Sequence, residues 1–337
     1  MSRSLPRILF FIALVLLLLP GCKRGFKADV SDIEASVSLE RFDRQLFGVK
    51  ADSLGGAIAG LYREYGDFYD VFNVHVINIG DASTRLYPSY LSMFINDPTN
   101  REVFEYTDRV FNEKSVLNDQ LEMGFRHYLY HYPDSAVPRV IGYVSRFNQG
   151  LFTVGNFVGV GLDQYLGADC PYYTQMGTPR YLVRNKVAER IPQDVMLAWA
   201  TRLYPYNDSV DNLLNRMIHK GQLLWFLESM FPGLEDEQLM GFDSEQMRWC
   251  RNNEEQMWTY LVEHKLLFST DGMVIRKLTE EAPHTSFFTS ESPGRAAVWQ
   301  GLQIVREFVR RNQERGVAEV MAMDNYQEIL GQSRYSP

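Results

Sequence analysis

Two histidines four residues apart, His127 and His131, have the spacing that sets both imidazoles on one face of a helix, as a metal site requires. Zinc hydrolysis asks for more: a carboxylate beside the first histidine to take a proton from metal-bound water, and a third ligand. Tyr128 follows His127 instead, and with Tyr130 and Tyr132 it makes the segment read as the end of an amphipathic helix. Asp163 ends a predicted strand after Val160-Gly161-Leu162. A carboxylate there either caps the next turn or lines a cleft, and the cap is the preferred reading. Arg295 falls in the first turn of a predicted helix, where the helix dipole disfavours a cation. A carboxylate partner is therefore expected, and Asp163 is one candidate. Glu122 and Glu254 read as solvated helix residues. The chain has no G-x-S-x-G elbow, phosphate loop or C-x-x-C, and Gly155, Gly159 and Gly161 miss G-x-G-x-x-G because position 164 is Gln.

The cysteine with the clearest chemistry is Cys22. Arg3 and Arg7 precede an unbroken apolar run from Ile8 to Leu19, and Leu19-Pro20-Gly21-Cys22 follows. The run is shorter than the roughly 20 residues of a spanning helix and matches the apolar region of a secretory signal. Its ending resembles a lipobox, in which the chain is cut before the cysteine and the thiol takes a diacylglyceryl group. The alternatives are a plain signal peptide and an uncleaved anchor. The expected organisation is a signal peptide over 1–21, a lipidated polar tether over 22–38 and one globular domain over 39–337. Each buried acyl methylene contributes about 0.8 kcal/mol, and two chains hold a protein stably on a membrane.

Of 337 residues, 34 are Lys or Arg and 42 are Asp or Glu, a net charge of −8. Loss of Arg3 and Arg7 with the signal leaves 32 basic against 42 acidic side chains, or −10. Such a chain is a poor nucleic-acid binder, and its one basic cluster, Arg306, Arg310 and Arg311, reads as a solvated helix face. Cys170 and Cys250 are permitted a disulfide by an exported location, yet two buried thiols suit the sequence equally.

The elements that must position these residues are mostly helices. Apolar periodicity predicts helices over Leu54 to Val71, Val103 to Phe111 and Leu117 to Tyr130. Further helices are expected over Asp211 to Phe231, Ser244 to Lys265, Pro293 to Arg311 (capped by Ser292) and Val317 to Leu330. Strands are expected over Val74 to Ile79 and Arg139 to Phe147. Two more should lie within Leu151 to Leu166, around bends at Gly155-Asn156 and Gly159 to Gly161. The fold class read from this pattern is α+β: a mostly helical single domain with a small sheet in its first half.

Several segments in order carry a family likeness: Pro138-Arg139-Val140-Ile141, Ser145-Arg146-Phe147-Asn148 and Val160-Gly161-Leu162-Asp163-Gln164-Tyr165-Leu166-Gly167. They are followed by Met217-Ile218-His219-Lys220-Gly221-Gln222-Leu223, Gln246-Met247-Arg248-Trp249-Cys250, Ser292-Pro293-Gly294-Arg295 and the terminal Ser333-Arg334-Tyr335-Ser336-Pro337. The set resembles the gliding-motility-associated lipoprotein family GldB of the Bacteroidetes, from the lipobox to the last residue. The resemblance implies a periplasm-facing envelope lipoprotein that binds gliding or secretion-machinery proteins and needs no cofactor. That family is in turn distantly similar to proposed zinc peptidases with H-E-x-x-H, which implies a degenerate zincin-like core. The aligned stretch is His219-Lys220-Gly221-Gln222-Leu223: Lys220 replaces the base and would repel a dication, and Leu223 cannot ligate. Glu254 or Glu255 stands where a third ligand would sit. The expectation is a repurposed, non-catalytic cleft, its candidate residues being His219, Glu254, Glu255, Asp163 and Arg295. The rival is a lipid-anchored metal-dependent hydrolase with an atypical site, which stoichiometric zinc lost on changing His219 or His127 would reveal.

Overall fold

The sheet is built from four short strands whose small residues let both faces be covered. In the computed structural model, which describes residues 28–50, 53–113 and 115–337, these are β1 (Leu39–Arg41), β2 (Arg139–Tyr143), β3 (Leu151–Val154) and β4 (Phe157–Gly161). The signal segment, Cys22 and the first part of the tether lie outside the described residues. The order is β1-β2-β4-β3, with β1, β2 and β4 parallel and β3 antiparallel to β4. Val140 pairs with Leu39 on one side and with Val158 on the other. The β3–β4 hairpin turns at Gly155, whose φ of +52° suits glycine. Gly159 and Gly161, expected as bends, lie inside β4. A Cβ at Gly159 would come 2.5 Å from the Phe152 ring, and one at Gly161 would come 2.2 Å from the Gln149 carbonyl oxygen.

Alternation along β2 sends its side chains into two cores, as a strand buried on both faces must. Ile141 and Tyr143 face a core built around Phe42, whose ring meets Tyr65, Phe68, Tyr69 and Phe72 in edge-to-face contacts with centroids 5.0–6.1 Å apart. This core is closed by α1 (Phe42–Phe47), α2 (Leu54–Tyr65), α3 (Asp67–Val71), α4 (Tyr87–Asn96) and α5 (Pro98–Val110). Val140, Val158 and Val160 face a second core, which takes in α6 (Ser115–His131).

The second half is helical: α7 (Pro171–Gln175), α8 (Arg180–Val183), α9 (Ile191–Leu203), α10 (Leu213–Met230), α11 (Asp236–Met240) and α12 (Ser244–Asn252). The chain continues through α13 (Glu254–Glu263), α14 (Gly272–Thr279), α15 (Ala296–Arg311), α16 (Val317–Met321) and α17 (Tyr326–Ser333). Helix α10 is buried nearly all round because it runs through the middle, with Leu227 against the sheet core and Met217 against the C-terminal helices. It crosses α15 at backbone contact: a Cβ on Gly301 would stand 1.9 Å from the Met217 carbonyl oxygen, and one on Gly221 would stand 2.3 Å from the backbone of Gly301. The chain is one mostly helical α+β domain with its small sheet in the first half. Among the described residues no helix is long and apolar enough to cross a membrane.

Several expectations are corrected. Val74 to Ile79 is no strand: Phe72–Val76 forms a π-helical turn. Its packing explains this, since Phe68 and Phe72 stack at 6.2 Å in the aromatic core and Asn73 Nδ2 donates to the Tyr69 carbonyl at 2.7 Å. The helix predicted over Leu54 to Val71 breaks at Gly66, whose φ is +46°. That predicted over Ser244 to Lys265 divides at Asn253, and that over Val317 to Leu330 divides before Asn325, which caps α17. Ser292 is not a helix cap, because α15 starts at Ala296. Gly294 lies against the backbone of Ala282, and Thr285 Oγ1 accepts the Ala296 N–H at 3.0 Å. The stretch read as tether already packs from Val30 onward, with Ala35 and Val37 in the sheet core. Arg306 is not a solvated residue: it pairs with Glu228 at 3.0 Å and Asp236 at 2.8 Å. Cys170 and Cys250 are both buried free thiols.

Candidate functional site

Helical spacing puts Arg216, His219, Lys220 and Leu223 on one face of α10, and this face forms the wall of a cavity of about 360 Å³. Leu224 of α10, Leu197 and Thr201 of α9, Tyr206, Glu280, Arg295 and Val298 complete it. His219 is buried, and its Nε2 lies 3.0 Å from the Tyr204 carbonyl oxygen. A carbonyl only accepts, so Nε2 carries the proton and is engaged. Burial holds the imidazole below its ordinary pKa, with Arg216 and Lys220 adding to the effect, so it is neutral near pH 7. Its ring is flanked by Tyr206 and Tyr326, with centroids at 5.2 and 6.2 Å.

Lys220 donates to Glu280 at 2.8 Å and to the Thr279 carbonyl at 3.1 Å. Arg216 forms a two-pronged pair with Asp211 at 2.8 and 3.0 Å and lies 3.9 Å from the centroid of the Tyr206 ring. Arg295 takes the left-handed conformation (φ +50°) immediately before α15. Its Nε is 2.9 Å from Glu281, its Nη2 donates to the Met240 carbonyl, and burial lowers its pKa. The expected carboxylate partner therefore exists, but it is Glu281 and not Asp163.

The remaining expected site residues lie elsewhere. Asp163 is fully buried after β4, where its Oδ2 accepts the N–H groups of Ser145 at 3.0 Å and Phe147 at 2.7 Å. It is a turn cap, as preferred, but of the turn after β2, where Arg146 and Phe147 have φ of +61° and +65°. Burial pushes its carboxyl up to about 6, against the pull of those two N–H donors. Glu254 is not a solvated residue either. Trp299 Nε1 donates to it at 3.2 Å and the Tyr335 hydroxyl at 2.8 Å, so it ties the C-terminus to α15. Glu255 is exposed, and neither glutamate lines the His219 cavity. His127 is buried beside a separate cavity of about 680 Å³ lined by Asp29, Met123 and Phe231. Among the described residues no group of three His, Cys, Asp or Glu is placed to hold a metal ion. At His219 to Leu223, where the sequence suggested a degenerate zinc helix, an imidazole facing a carbonyl, a paired ammonium and a leucine do not fit a zinc site.

A model of the family described as "Gliding motility protein GldB" matches residues 23–337. The chain belongs to the GldB family. No curated protein and no solved structure matches it. In this GldB-family chain, two of the expected cleft residues, His219 and Arg295, are brought together. Arg216 was missed, although three basic positions at i, i+3 and i+4 around His219 were a readable signal. Tyr206, Glu280 and Glu281 had no signal, because separate loops deliver them.

Proposed function

We propose that this chain is a lipid-anchored envelope protein that supports gliding motility, or secretion machinery linked to it, by binding other proteins and without catalysis. The observation that carries the reading is the family match over residues 23–337. The chemistry of the aligned helix supports the non-catalytic part. Lys220 is engaged by Glu280 where a general base would have to act, and the ring nitrogen of His219 that is engaged faces a carbonyl. On this reading residues 1–21 are removed, Cys22 carries lipid, and 39–337 is the working domain. Five residues lie between Cys22 and Ala28, a reach of at most about 20 Å over six Cα steps. That reach would hold the surface around Asp29 and Met123 close to the membrane, with the domain facing the periplasm.

Fractionation of cells carrying Cys22→Ala tests the anchor. The variant should leave the membrane pellet, or accumulate as uncut precursor with its signal attached. A mature Cys22→Ala protein, signal removed, that still pellets with membranes would rule the lipid anchor out.

A further inference from the structure

The cavity over His219 is lined unevenly. Leu197, Leu223, Leu224 and Val298 make part of its wall apolar, and Arg216, Lys220 and Arg295 bring three cations to it against one carboxylate, Glu280. Asp211 and Glu281, which pair with two of these cations, are not among the lining residues. Each cation also keeps donor capacity. Asp211 takes Nε and Nη2 of Arg216 and leaves Nη1; the Met240 carbonyl takes Nη2 of Arg295, whose Nε is ion-paired with Glu281 without a hydrogen bond, and Nη1 is left. The ammonium of Lys220 has three protons and two acceptors, Thr279 O and Glu280. The wall thus presents cations with spare N–H donors beside apolar surface, in a volume at the small end of the range for ligand sites.

We infer that this cavity binds a small carboxylate carried on an apolar body, held by Arg216, Lys220 and Arg295 with the apolar part against Leu197, Leu223, Leu224 and Val298. The inference rests on the non-catalytic reading of the cleft and gives it a ligand class. Counting Asp211 and Glu281 behind the wall, the three cations are matched by three carboxylates. The site therefore offers hydrogen-bond donors with little surplus charge. That suits a singly charged carboxylate, which accepts several N–H groups, better than a dianionic phosphate, which Glu280 would repel. His219 stays neutral, with its Nε2 on Tyr204, and shapes the wall without holding the ligand. A fatty acid and a peptide chain end share this chemistry.

Calorimetric titration of the full chain in detergent, referenced to protein-free micelles, tests it with hexanoate and N-acetylleucine against hexanamide and N-acetylleucinamide. At least one acid should bind tenfold or more tighter than its amide, and which one does so separates the two sources. Arg216→Gln and Lys220→Gln should each weaken that acid by about tenfold with the circular-dichroism spectrum unchanged, whereas His219→Ala should stay within about twofold. Amides that bind as tightly as the acids would overturn the proposal without need of any variant. So would hexyl phosphate binding more tightly than hexanoate, or folded Arg216→Gln and Lys220→Gln proteins with unchanged affinity. Conversion of an amide to its acid, followed by chromatography, would instead overturn the non-catalytic reading, and the comparison of affinities would still decide the ligand class.

Discussion

Asp163 shows how a buried carboxylate can serve the backbone and still leave a mark on stability. One oxygen, Oδ2, accepts the N–H groups of Ser145 and Phe147, which bracket the left-handed turn at Arg146 and Phe147. Burial nevertheless disfavours the charge and raises the pKa from 3.8 to about 6. A carboxyl whose folded pKa is raised favours the native state in its neutral form. That contribution is complete below about pH 4 and is lost as the pH rises through about 6. Asp163→Asn keeps one oxygen for both donors and removes the ionisation. The wild-type protein should therefore lose roughly 2 kcal/mol relative to the variant between pH 4 and pH 7. Urea-unfolding midpoints at both pH values measure this, and parallel pH profiles for the two proteins would contradict it. The cap itself was legible, because an aspartate closing a Val-Gly-Leu run suggests a turn. Its target was not, because the turn lies sixteen to eighteen residues upstream and is brought near only by the pairing of β2 with β4. Ser292 failed as a cap for a related reason: Thr285, earlier in the same α14–α15 connection, folds back to meet the first N–H of α15.

At the scale of elements, the site depends on how closely α10 approaches α15. Gly221 and Gly301 let the two backbones touch, and this contact sets where Arg216, His219 and Lys220 stand relative to Val298. Gly301→Ala would drive a methyl into the Met217 carbonyl and should destabilise by about 3 kcal/mol or more. Leu227→Ala should cost about 2–5 kcal/mol through the void it leaves in the sheet core. His219→Ala removes one hydrogen bond to Tyr204 and should cost less, about 1–3 kcal/mol. Thermal unfolding orders the three, and a His219→Ala protein less stable than Leu227→Ala would show that the histidine does more than fill the wall. The long helices were legible because α6 and α10 keep their apolar period over many residues. Short elements were not. The Val-His-Val alternation at 74–76 matches a strand, and only the aromatic core around Phe42 selects a π-helical turn there.

Across the whole molecule, an acidic domain carries a small sheet between two cores and a helical half with a polar cavity. It follows a sequence whose start reads as a lipoprotein signal. Class and family were readable because hydrophobic period and motif order survive in one dimension. The cavity was only half readable, since Arg216, His219 and Lys220 share one helix while Tyr206, Glu280 and Arg295 arrive from three other places. This GldB-family protein is proposed to work by binding and not by catalysis. Cell movement in a gliding strain that lacks its own family member and carries the wild-type protein or His219→Ala decides the matter. Equal movement from both is expected at equal protein abundance. A His219→Ala protein that is folded, membrane-associated and normally abundant, yet fails to restore the movement the wild type restores, would contradict it.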